Sequence, residues 1–151
     1  PSAPTVYSMC INTTRYSFIM NIESGPDSQT GIDMPHVLWR DTMKNPNNCP
    51  PLDIGVSPVV ADSNTVEGTA SPGSASQGYE MVPNHVRLTR FKVKETSSGS
   101  GVFDVYTYLS YGDSDLLNAP DANGVANCIG GTGNQCCGSS SLQTTVKRRL
   151  Q

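Results

Sequence analysis

The residues best suited to bind a ligand sit in two acidic turns. Asp113-Ser114-Asp115 is followed by Asp121-Ala122-Asn123-Gly124, so Asp113, Asp115, Asp121 and Asn123 bring four short oxygen side chains into one loop. Hard oxygen donors of this kind suit Ca²⁺. The spacing is not that of an EF-hand and no Glu closes the loop. Asp and Asn also initiate turns unaided, which is the favoured reading here; beyond calcium, no cofactor is implied. Lys147-Arg148-Arg149 is a basic cluster that could touch nucleic acid. On a strand, Lys147 and Arg149 share one face and Arg148 takes the other, which divides the charge and favours a solvated sheet face. Asn12-Thr13-Thr14 fits an N-glycosylation sequon, a short pattern of little weight. His36 and His85 lie far apart, and H-E-x-x-H, G-x-S-x-G and the phosphate-binding glycine loops are absent. The expectation is a protein that is not an enzyme.

Five cysteines, Cys10, Cys49, Cys128, Cys136 and Cys137, form no C-x-x-C pair and have no His near enough for a zinc knuckle. They lie among Gly, Pro and Asn, which is loop chemistry. Loop cysteines in a polar chain of low charge point to disulfides made outside the cytosol, in a periplasm or in the extracellular space. Sequence alone does not choose the pairing. The preferred bonds are Cys10 with Cys49, and Cys128 with Cys136 or Cys137.

These residues need elements to hold them, and the composition restricts the choice. The chain has 151 residues, 36% hydrophobic and 15% charged, with a net charge of -3, 14 Gly and 11 Pro. The length suits a single domain over 1–151. The charge balance argues against general binding to nucleic acid or an anionic membrane. No apolar run approaches the roughly 20 residues of a membrane span. The chain opens at Pro1 rather than Met, which points to a processed or trimmed form.

Hydrophobic alternation predicts strands and no amphipathic helix of convincing length. Tyr16 to Ile22 alternates well, and Met34 to Asp41, which holds Trp39, reads as a strand or a single turn. From about 50 to 77 the chain is rich in Pro, Ser and Gly and reads as a long surface loop, with a short strand at Val56 to Val60. Val86 to Lys94 changes parity partway, predicting a bulge near Thr89 and Arg90. A Ser/Gly turn separates it from Val102 to Tyr111, where Phe103, Val105, Thr107 and Leu109 face one way and Tyr106 and Tyr108 the other. Leu142 to Leu150 puts Leu142, Thr144, Val146 and Leu150 on one side and Gln143, Thr145, Lys147 and Arg149 on the other. The fold class is mainly β: an antiparallel sheet with long loops.

The C-terminal third, with Val86-Arg87-Leu88-Thr89-Arg90-Phe91-Lys92-Val93, Val105-Tyr106-Thr107-Tyr108-Leu109-Ser110-Tyr111, the cysteine loop from Cys128 to Cys137 and the closing Leu142 to Leu150, resembles the globular headpiece of bacterial type IV minor pilins and related pseudopilins. Tyr16 to Ile22 and Leu38-Trp39-Arg40-Asp41 look like that group too. The resemblance implies an α+β protein when full-length, whose apolar N-terminal helix anchors it in the inner membrane and later packs in a filament. It also implies an antiparallel sheet lying over that helix and a disulfide-closed C-terminal loop, which fits Cys128 with Cys136 or Cys137. That helix is missing from this chain, so an apolar sheet face should be partly exposed. The implied partners are other pilin subunits and pilus-assembly proteins, with a host or surface ligand reached through the 50–77 and Cys128 to Cys137 loops. Nucleic acid is not an implied partner, and the membrane is one only through the missing helix. The implied function is filament priming or decoration, with adhesion. The alternatives are a secreted adhesin or carbohydrate-binding domain that stacks sugar on Trp39 or on Tyr106 and Tyr108, and a DNA-capturing pilin.

Overall fold

A computed structural model describes residues 4–22, 24–26, 33–34, 36–66, 78–112, 116–123, 125–129 and 137–147. The protein is mainly β, and no α-helix occurs among the described residues. Tyr7–Ile11 (β1), Thr14–Phe18 (β2), Leu38–Thr42 (β5) and Tyr79–Glu80 (β6) form one antiparallel sheet in the order β1-β2-β5-β6. Gly25–Pro26 (β3) pairs with Asp33–Met34 (β4). Val86–Glu95 (β7), Val102–Tyr111 (β8) and Gly138–Lys147 (β9) form a second sheet in the order β7-β8-β9, antiparallel throughout.

The β1–β2 hairpin turns through Asn12 and Thr13, with Asn12 at φ 54, a left-handed conformation that Asn tolerates. Parity then sorts each strand. Ser17, Trp39, Arg15 and Asp41 point to one side of the first sheet, and Phe18 and Leu38 to the other. Phe18 packs edge-on against Phe91 of β7 at 5.0 Å between ring centroids, which joins the two sheets. Ile19, Val37, Leu38, Ile54 and Leu88 are the centre of the resulting core. Trp39 lies under Gly78, where a Cβ would collide with the indole, so only glycine fits.

Several expectations need adjustment. The strand read from Tyr16 to Ile22 starts at Thr14 and ends at Phe18; beyond it Ile19 N–H still bonds Val37 O at 3.0 Å, and Asn21 at φ 64 turns the chain away. Val56 to Val60 is not a strand: the chain bends through Pro58, with a cis Ser57–Pro58 bond, and only Val60 makes an isolated bridge. The 50–77 stretch is not simply a surface loop. Leu52, Ile54, Val59 and Ala61 are buried and cover the first sheet. Their irregular spacing matches neither the helical nor the strand period, which is why they read as loop. Residues 67–77 lie outside the described part. Conversely, the register of β7 against β8 slips between Leu88 and Arg90, so the bulge lies where the change of parity placed it.

Candidate interaction surface

The second sheet projects beyond the core. Opposite residues in an antiparallel pair share a face, and the registers stack Val93 beside Val105 and Thr144, Glu95 beside Phe103 and Val146, and Phe91 beside Thr107 and Leu142. One face therefore carries Phe91, Val93, Phe103, Val105, Leu142 and Val146, with Thr107 and Thr144 among them and Glu95 at its outer end. Its inner end, at Leu88, Phe91 and Leu109, belongs to the core; its outer end does not. β8 is the central strand, yet no residue from Val102 to Leu109 is fully buried. Leu142 is 62% exposed and Val146 39%. This is a largely apolar shelf continuous with the core, open at Leu142 and Val146 and half-buried at Phe91, Val93, Phe103 and Val105.

The other face of the same sheet is polar. Arg90 lies over the rings of Tyr106 and Tyr108, 5.9 and 5.6 Å from their centroids, and donates to Asn123 O at 2.5 Å. Thr145 Oγ1 donates to Asp104 Oδ1 at 2.7 Å. Ala126 docks at the base of this face, where its carbonyl accepts from Ser110 Oγ at 3.3 Å.

Two disulfides tie the chain, Cys10–Cys49 and Cys128–Cys137. The first is the preferred pair, and the second takes Cys137 of the two candidates; Cys136 lies outside the described residues. Two such bonds fit an oxidising compartment outside the cytosol.

The other candidates separate. Asp113 and Asp115 lie outside the described residues. Asp121 caps a turn, accepting from the N–H groups of Asn123 at 2.7 Å and Val125 at 2.9 Å, and these bonds, the Val125 one foremost, lower its pKa. Asn123 offers its carbonyl to Arg90. No cluster of three metal-ligating side chains occurs among the described residues. Lys147 ends β9 in solvent, and Arg148 and Arg149 lie outside the described part. Trp39 is in the core, packed edge-on by His36 at 4.6 Å, and offers no open ring for a sugar.

Two polar centres carry little signal in the sequence. Arg15 is fully buried: Nε donates to Asp41 Oδ1 at 2.9 Å, Nη2 to Asp41 Oδ2 and Thr65 Oγ1, and Nη1 to Asp62 Oδ2 at 2.6 Å and Pro50 O. Burial opposes its charge, but Asp41 and Asp62 prevail and hold its pKa above the usual value. Glu80 accepts from the N–H groups of Val37, Leu38, Met81 and Val82; burial nevertheless raises its pKa. Both centres pin strands together rather than face a cavity. The only hint was a charged residue at an inward parity position, which period alone does not mark as buried.

Comparison of the chain with protein-family models, with curated proteins and with solved structures finds no match.

Proposed function

We propose that this chain is the globular headpiece of a type IV minor pilin or related pseudopilin, a structural subunit acting through subunit contacts in filament priming or decoration. The observation that carries the reading is the apolar shelf, partly exposed along β9. Three strands at about 4.8 Å spacing make a strip roughly 10–14 Å wide, close to the 10–12 Å diameter of one helix. A sheet that is apolar on one face must bury it against another element, and a helix is one of few solutions. The start of the described chain lies toward its core end: Val6 packs on the core, and Tyr7 stacks at 5.7 Å on Phe18, which itself touches Phe91. A helix entering there has the shelf within reach. The two disulfides suit a subunit that works outside the cytosol.

The test is the N-terminal sequence and intact mass of the native protein from its own cell envelope. A run of about 20 apolar residues upstream, with a Glu near its start, is expected. A mature protein without such a segment overturns the pilin reading. A secreted binding domain, using the Tyr106 and Tyr108 face, then takes its place.

A further inference from the structure

From the outer edge of β9, we infer that this protein pairs with a second copy of itself, β9 against β9, to make a continuous six-stranded antiparallel sheet. The direction of the backbone groups follows from the two ends of β8. Thr96 N–H donates to Val102 O at 2.9 Å, and Gly112 N–H to His85 O at 3.2 Å, so the even-numbered residues of β8 point their backbone groups toward β7. The odd-numbered residues then point toward β9, where Phe103, Val105, Thr107, Leu109 and Tyr111 meet Val146, Thr144, Leu142, Ser140 and Gly138. That leaves Ser139, Ser141, Gln143, Thr145 and Lys147 with N–H and C=O directed outward. Among the described residues no strand lies beyond them, and every residue of β9 after Gly138 is exposed.

Long edge strands are usually protected by Pro, a bulge, charges or a cover. β9 runs ten residues in unbroken register with β8, contains no Pro, and carries one charge, at its last residue. The outward set is also symmetric about Gln143. In an isologous antiparallel pair Gln143 meets Gln143, Ser141 meets Thr145, and Ser139 meets Lys147, so every outward group finds a partner. Shifting the register by two residues in either direction leaves some unpaired. The two Lys147 side chains fall at opposite ends of the seam, so no like charges oppose. Leu142 then faces Thr144 of the second copy on the apolar side, which carries the shelf across the seam. An edge of this length is a small interface, and the dimer is correspondingly weak.

Sedimentation velocity of the full chain from micromolar to millimolar concentration reads the association. Amide hydrogen exchange at the two extremes reads its geometry. Expected are a reversible dimer and slowed exchange on dimerisation at Ser139, Ser141, Gln143, Thr145 and Lys147, while Ser140, Leu142 and Thr144 are protected throughout. Ser141→Pro removes an outward N–H that the β8 ladder does not use. It is expected to weaken the dimer by about tenfold or more without changing the monomer's circular dichroism, whereas Ser141→Thr retains it. A chain that stays monomeric overturns the inference. So does a dimer that survives Ser141→Pro but is lost in Leu142→Ser with Val105→Ser, which places the contact on the shelf instead. If Ser141→Pro unfolds the monomer, the exchange pattern of the unaltered chain decides alone.

Discussion

Arg15 holds the first sheet to the segment that covers it, and its removal has a calculable cost. In Arg15→Met the Asp41 carboxylate, 1% exposed at its side chain, loses its cation with no route to water. Breaking a buried pair from one side costs about 3–5 kcal/mol, a large part of the 5–15 kcal/mol typical of a whole domain. Asp62 differs because its side chain is 31% exposed and can turn to solvent. Asp62→Asn should therefore cost about 1 kcal/mol, and Asp41→Ala about 3 kcal/mol. Arg15→Met combined with Asp41→Leu replaces the pair by apolar groups and should cost well under the sum of the single losses. Urea unfolding at neutral pH, disulfides intact and followed by Trp39 fluorescence, measures each. Arg15→Met within 1 kcal/mol of the unaltered protein, or Asp62→Asn as costly as Asp41→Ala, would refute the assignment of the stabilising contact to the Arg15–Asp41 side. The pH dependence has a definite sign too. Burial pushes the Asp62 pKa up, but hydrogen bonds from Arg15 and Thr65 overcome it and hold the group below 3.8. The stability Asp62 contributes is present above 3.8 and lost as pH falls through the folded value, and Asp62→Asn should flatten that loss.

The two disulfides should differ in worth. With sequence separations of 39 and 9, chain entropy gives about 4 kcal/mol for Cys10–Cys49 and about 2.7 kcal/mol for Cys128–Cys137; the urea midpoints of the paired alanine variants check the order. Leu142→Ser on the shelf should change stability by no more than about 0.5 kcal/mol and reduce binding of an apolar dye, whereas Leu88→Ala in the core should cost about 2–5 kcal/mol. Burial lowers the His36 pKa below 6.5, so the unfolded chain takes up the proton first. Stability is then lost as pH falls below 6.5, and His36→Gln should flatten that segment of the urea-midpoint profile.

Local alternation made the second sheet legible. The pairing of Val105 with Thr144 and of Phe103 with Val146 joins the faces that parity assigned to each strand, and the slip after Leu88 is a real bulge. β9 starts at Gly138, ahead of the expected Leu142, because Ser139 to Ser141 pair by backbone and show no hydrophobic period. β1 escaped notice for a similar reason: Tyr7 to Ile11 is half-exposed and borders the sheet, so its pattern is weak. Arg15 was invisible because its meaning depends on Asp41, Asp62 and Thr65, which only the tertiary fold brings to it. Trp39 reads more readily as core than as a binding platform from the sequence, and Gly78 closing over it places it in the core.

The shelf and the edge make separate demands on the same three strands, and geometry keeps them compatible. A helix covering the shelf approaches along the normal of the sheet, whereas a second β9 approaches within its plane. Pairing by a two-fold perpendicular to the sheet keeps the apolar faces of both copies on one side. Two covering helices would then lie side by side over six strands, and the separation of the strips exceeds the 8–10 Å at which helices pack. The opposite face, with Arg90 over Tyr106 and Tyr108, is approached by neither partner in either arrangement. Substitutions there should leave both contacts intact, while Leu142 and Val146, at the seam on the apolar side, are the positions where covering of the shelf and strand pairing would be felt together.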